Sequence, residues 1–65
     1  MKIQEARAIA GEPLLIGDGK VRKGTRKLPS GVYQVPVRLE GGERATVRVS
    51  DDGASLRYRR SNSAR

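Results

Sequence analysis

Between Val32 and Arg60 apolar and polar residues alternate with a period of two. The alternation falls into three runs, VYQVPVRL, ERATVRVS and SLRYRR, separated by Glu40-Gly41-Gly42 and by Asp51-Asp52-Gly53-Ala54. Alternation of this kind marks half-buried strands, and glycine-rich breaks between such runs predict an antiparallel meander. Tyr33, Val35, Val37 and Leu39 share one face of the first strand. Ala45, Val47 and Val49 share a face of the second, and Leu56 and Tyr58 of the third.

Cross-strand neighbours point the same way, so each turn must preserve parity. A two-residue Gly41-Gly42 turn would set Leu39 against Arg44 and fails that test. A three-residue loop, Glu40 to Gly42 with Gly42 left-handed, pairs Val37 with Ala45 and Val35 with Val47. For the second hairpin, a two-residue turn at Asp52-Gly53 pairs Asp51 with Ala54, Val49 with Leu56 and Val47 with Tyr58, and it passes.

These registers leave Gln34, Pro36, Arg38, Arg44, Thr46, Arg48, Ser50, Ser55, Arg57 and Arg59 on the outer face, with five arginines and no carboxylate. Arg38 is expected opposite Arg44, and Arg48 opposite Arg57. Directly opposed like charges destabilise a sheet. An anion lying across the face explains them better than solvation alone, and the planar guanidinium fork suits phosphate oxygens and the guanine edge. Pro36 has no N–H for a ladder, so its strand is expected to be an edge there or to carry a bulge.

Ahead of the meander, Ile3, Ala6, Ile9 and Ala10 recur at helical spacing, and Gly11 followed by Pro13 marks an end. This predicts a short helix covering the apolar side of the sheet. Leu14-Leu15-Ile16, the turn Gly17-Asp18-Gly19 and Lys20 to Lys23 read as a small hairpin. It would either add two strands, curling the sheet toward a small SH3-like or OB-like barrel, or form an irregular lid. The expected fold is therefore small α+β or mostly β: an N-terminal helix and three to five antiparallel strands. Residues 1–60 form one domain, and residues 61–65 form a disordered tail.

Charge sharpens this picture. The chain has 65 residues with 14 Lys and Arg against 7 Asp and Glu, a net charge of +7. Five of the eight residues Lys20 to Lys27 are basic and none is acidic. Lys20, Arg22, Lys23, Arg26 and Lys27 read as a basic arm beside the arginine face, suited to a phosphate backbone. A chain this short buries only about 60% of the surface its unfolded form exposes, so dimerisation would be a useful supplement.

Several chemistries are removed. The sequence has no Cys and no His, so disulfides, thiolate chemistry and the usual zinc ligands are out. Glu40 and Glu43 belong to one turn and Asp51 and Asp52 to the other, which separates the acidic pairs. Gly17-Asp18-Gly19-Lys20 lacks the spacing and the following Ser or Thr of a phosphate-binding loop. No enzyme, cofactor or metal site is expected. No apolar run reaches the length of a membrane span and the N-terminus has no signal-peptide pattern, which reads as a cytoplasmic protein without a membrane partner.

The expectation is a nucleic-acid-binding protein, with duplex DNA favoured because neither tyrosine falls on the basic face to stack unpaired bases. Gln34, Arg48 and Arg57 are placed to reach base edges, with Arg38, Arg44, Arg59 and the arm on phosphates. The alternatives are association with structured RNA or the ribosome, and a module docking on an acidic protein. In architecture the basic meander resembles sheet-reading DNA-binding domains such as those at the N-termini of some integrases, and the likeness implies DNA contact through the sheet.

Overall fold

The structure, a computed structural model, describes residues 1–58. Helix α1 (Ile3–Ala10) and a single helical turn α2 (Pro13–Ile16) precede five antiparallel strands. These are β1 (Lys20–Val21), β2 (Arg26–Lys27), β3 (Tyr33–Arg38), β4 (Arg44–Ser50) and β5 (Gly53–Tyr58). The sheet runs β1-β3-β4-β5, with β2 also on β3, and stays open rather than closing into a barrel. Arg59 and the expected disordered tail lie outside the described residues.

The core forms where the alternation puts it. Val35, Val37, Val47 and Val49 are fully buried on one face of β3 and β4, and each such side chain contributes about 1.5–3 kcal/mol on burial. α1 packs across both strands. Its contact residues Ala6 and Ala10 lie one turn apart and are fully buried, and their small side chains bring the helix backbone close to the sheet. The helix start is held by Glu5, whose Oε1 accepts the Lys2 N–H at 2.8 Å. Tyr33 closes the same end, donating its hydroxyl to the Met1 carbonyl at 3.1 Å.

The β3–β4 hairpin has the expected register, with Val37 opposite Ala45, Val35 opposite Val47 and Arg38 opposite Arg44. Its loop is the three-residue Glu40 to Gly42: Leu39 N–H donates to the Glu43 carbonyl at 2.7 Å, and Gly42 sits at φ 90°. The β4–β5 register differs from expectation. Ser50 pairs with Gly53, Val49 with Ala54 and Val47 with Leu56, so the turn is centred on Asp51-Asp52. Ser50 Oγ accepts the Asp52 N–H at 3.2 Å, and Gly53 takes φ 137° at the start of the strand. The slip is an even one, which keeps every side chain on its expected face. It also separates Arg48 from Arg57, since Arg48 now faces Ser55 and Thr46 faces Arg57.

The expected hairpin at residues 14–23 is not formed. Leu14-Leu15-Ile16 is helical, because Pro13 suits the first position of a helix, and Gly17 N–H closes the turn onto the Pro13 carbonyl at 2.8 Å. Ile16 is buried, whereas Leu14 points into solvent. Gly19 then runs so close to β3 that a Cβ there would collide with the Arg38 carbonyl.

The basic segment is an interrupted edge strand rather than a free arm. Val21 pairs with Val37 and Arg26 with Gln34, so residues 22–25 bulge against residues 35 and 36. Pro36 supplies the reason. The alternation set by the Leu39–Glu43 bond turns its nitrogen toward this edge, where it has no hydrogen to give. Arg22 N–H donates to the Pro36 carbonyl at 2.8 Å and receives nothing back. The Arg22 carbonyl is instead taken by Arg7 Nη1 of α1 at 3.0 Å, and the same nitrogen donates to Thr25 Oγ1 at 2.7 Å. Gly24 turns the bulge at φ 104°.

Replacing Arg7 with Met leaves the Arg22 carbonyl without its charged donor. The expected loss is about 1–2 kcal/mol in urea unfolding, with faster amide exchange at Arg22 and Arg26 and unchanged protection at Val47. Uniform loss of protection would show instead that Arg7 supports the whole core.

Candidate nucleic-acid interface

The pairing lines up outward-facing residues in rows across the strands. Lys20, Arg38 and Arg44 form one row, Pro36, Thr46 and Arg57 the next, and Arg26, Gln34, Arg48 and Ser55 a third. Neighbours within a row have Cβ atoms about 4.5–5.5 Å apart, and successive rows are about 6.6–6.8 Å apart along a strand. Six cations thus share a surface whose paired outer positions carry no carboxylate. Arg38, Arg44, Arg48 and Arg57 are exposed, while Gln34 and Thr46 are half-buried between them. Among the described residues, Arg7 is the one arginine whose side chain is hydrogen-bonded to protein, and it lies on the opposite side of the sheet.

Gln34, Arg38, Arg44, Arg48 and Arg57 stand on the expected face, and Lys20 and Arg26 join them through their pairing with Arg38 and Gln34. Arg22 continues the β1 alternation outward, and Lys23 is exposed in the bulge. Lys27 does not join the face. It pairs with Tyr33, whose side chain points to the helix side, and its Nζ lies 5.7 Å from that ring. Arg59 is outside the described residues. Thr46 escaped the initial choice of candidates, although its place opposite Pro36 follows from the hairpin parity alone.

Among the described residues, open depressions mark the face. One, of about 300 Å³, is bounded by Arg26, Gln34, Arg48 and Arg57, with Pro36 and Thr46 beneath and Gly24 at its rim. Another, of about 380 Å³, shares Arg48 and Arg57 but runs down to Ser50, Asp52 and Gly53 of the last turn. The hairpin acids lie at the ends of the sheet: Glu40, whose Oε1 accepts the Asp18 N–H at 3.3 Å, and Glu43 at the first hairpin, Asp51 and Asp52 at the second. Among the described residues no group of three or more carboxylates gathers where it could hold a metal ion. No helix among them is long and apolar enough to cross a membrane.

No family model, curated protein or solved structure matches the chain. Fold and surface together define a class: a small α+β domain with an open sheet, helix-covered on one side and cationic on the other.

Arg38 faces both Lys20 and Arg44, so Arg38→Gln relieves two like-charge contacts. Stability in low-salt urea titrations is expected to rise by about 0.2–1 kcal/mol, with the gain shrinking as sodium chloride approaches 1 M. A salt-independent loss would mean that the Arg38 stem is a packing element.

Proposed function

We propose that this protein is a cytoplasmic nucleic-acid-binding protein that takes duplex DNA on the outer face of its sheet. The observation carrying the proposal is the three-row array, which assembles Lys20, Arg26, Arg38, Arg44, Arg48 and Arg57 without an interspersed acid. Such a field attracts a polyanion, and counterion release from the backbone supplies the affinity. Arg22 and Lys23 extend the array along the edge.

The array favours a duplex over single strands because the outer-face positions offer no aromatic platform, and Tyr33 is buried on the other side. From the β1/β2 edge to β5 the face spans three inter-strand spacings, about 14–15 Å. That is broader than the two-stranded ribbon a major groove about 12 Å wide admits. Gln34, Arg48 and Arg57, expected at base edges, are therefore proposed to rest with the other cations on the phosphate backbone, holding the duplex with little regard to sequence.

Fluorescence anisotropy with labelled duplex DNA, single-stranded DNA and duplex RNA tests this directly. Duplex DNA is expected to bind tightest, with a log–log salt slope of about −4 to −5, equivalent to roughly five phosphates at −0.9 each. Arg44→Gln should lower that slope by about one. Tighter binding of duplex RNA would transfer the reading to structured RNA. Absence of binding at physiological salt would overturn it in favour of an acidic protein partner.

A further inference from the structure

The smaller depression has a composition that the larger one lacks. Each of its polar lining residues, Arg26, Gln34, Thr46, Arg48 and Arg57, carries a side-chain donor, and none carries a carboxylate. The larger depression includes an acidic residue, Asp52, in its lining. Arg26 and Arg48 flank Gln34 from the two neighbouring strands, and Arg57 stands opposite Thr46 in the adjoining row. Three strands thus present a cation to one hollow. The hollow stays open because two of its lining residues, Pro36 and Gly24, carry no projecting flexible side chain. A Cβ on Gly24 would find Pro36 Cγ at 3.9 Å.

We infer that this hollow is a seat for a single phosphate group, held by Arg26, Arg48 and Arg57 with Thr46 and Gln34 donating from below. A phosphate presents acceptor oxygens in several directions, and guanidinium groups meet them with paired, charge-assisted hydrogen bonds. Mutual repulsion among the three cations disfavours the empty hollow, and a bound anion relieves it. Chloride offers no oxygen geometry for the forks to match. The seat shares the face with the proposed nucleic-acid contact but does not require it, because the phosphate can belong to a nucleic-acid backbone or be free in solution.

The test is thermal unfolding of the whole chain in sodium phosphate and in sodium chloride at equal ionic strength, paired with amide NMR shifts during a phosphate titration. At about ten times the dissociation constant, phosphate should raise the midpoint by roughly 6–11 °C over chloride. The amides of Gln34, Thr46, Arg48 and Arg57 should shift and saturate together. Arg48→Gln with Arg57→Gln should abolish both effects, while Arg38→Gln with Arg44→Gln, outside the hollow, should retain them. An equal rise in all three proteins would overturn the seat, since it would report general exclusion of phosphate from the surface. So would amide shifts that never saturate. Duplex DNA anisotropy on the same variants separates this inference from the proposed function. DNA binding retained by Arg48→Gln with Arg57→Gln, without the phosphate effect in the wild type, sinks the seat alone. A saturable phosphate effect without DNA binding upholds the seat and sinks the nucleic-acid reading. Where both hold, displacement of DNA by phosphate beyond matched chloride identifies the backbone as the source.

Discussion

Burial of Val35, Val37, Val47 and Val49 beneath α1 is the constraint from which the rest of the molecule follows. Side chains alternate along a strand, so committing those four valines to the helix commits the residues between them to the other surface. Gln34, Pro36, Thr46 and Arg48 have no other place to go. The cationic face is thus the obligatory reverse of the hydrophobic core. Like charges can oppose one another there, as Arg38 and Arg44 do, because a cost of tenths of a kcal/mol is small beside the burial of one valine. Reversing the register to relieve them would expose the whole core.

Pro36 imposes a second constraint. Its missing N–H breaks the ladder on the outer edge of β3, the chain answers with the bulge at residues 22–25, and Arg7 takes the carbonyl that Pro36 leaves unserved. One helix residue thereby fastens the basic edge in position. The same proline, lacking a flexible side chain, lines the hollow between Arg26, Arg48 and Arg57. An interruption that weakens the edge as a strand also shapes the surface offered to an anion, and it blunts that edge against pairing with another chain.

Where the sequence was legible depended on whether an error would flip a face. In the first hairpin the competing loops differed by an odd step, so parity chose between them and Gly42 was placed correctly. In the second hairpin the competing turns differed by an even step. Both satisfied the pattern, and the choice fell to the Ser50 hydroxyl and the backbone of Gly53, which periodicity does not register. The arginine face was therefore readable residue by residue while the pairing of Arg48 was not. Pro13 was read only as the end of α1, although it also opens α2. The role of the basic segment was hidden because residues 20–27 carry too little apolar alternation, and because their anchor, Arg7, lies fifteen residues before Arg22. Lys27 looked like its neighbours in composition, but the alternation that turns Arg26 outward turns Lys27 to the other side of the sheet, and the bulge, an even slip, leaves that parity unchanged.

The two-faced sheet in its observed register is the central claim, and cross-strand NOE measurement on the free protein tests it most directly. The structure predicts strong Hα–Hα contacts between non-hydrogen-bonded partners: Gln34 with Arg48, Arg38 with Arg44, Val47 with Leu56 and Val49 with Ala54. Contacts of Val49 with Leu56 and Val47 with Tyr58 would restore the Asp52-Gly53 turn and set Arg48 against Arg57. Contacts of Leu39 with Arg44 would contradict the account outright, because the arginines and the valines could then no longer occupy opposite faces.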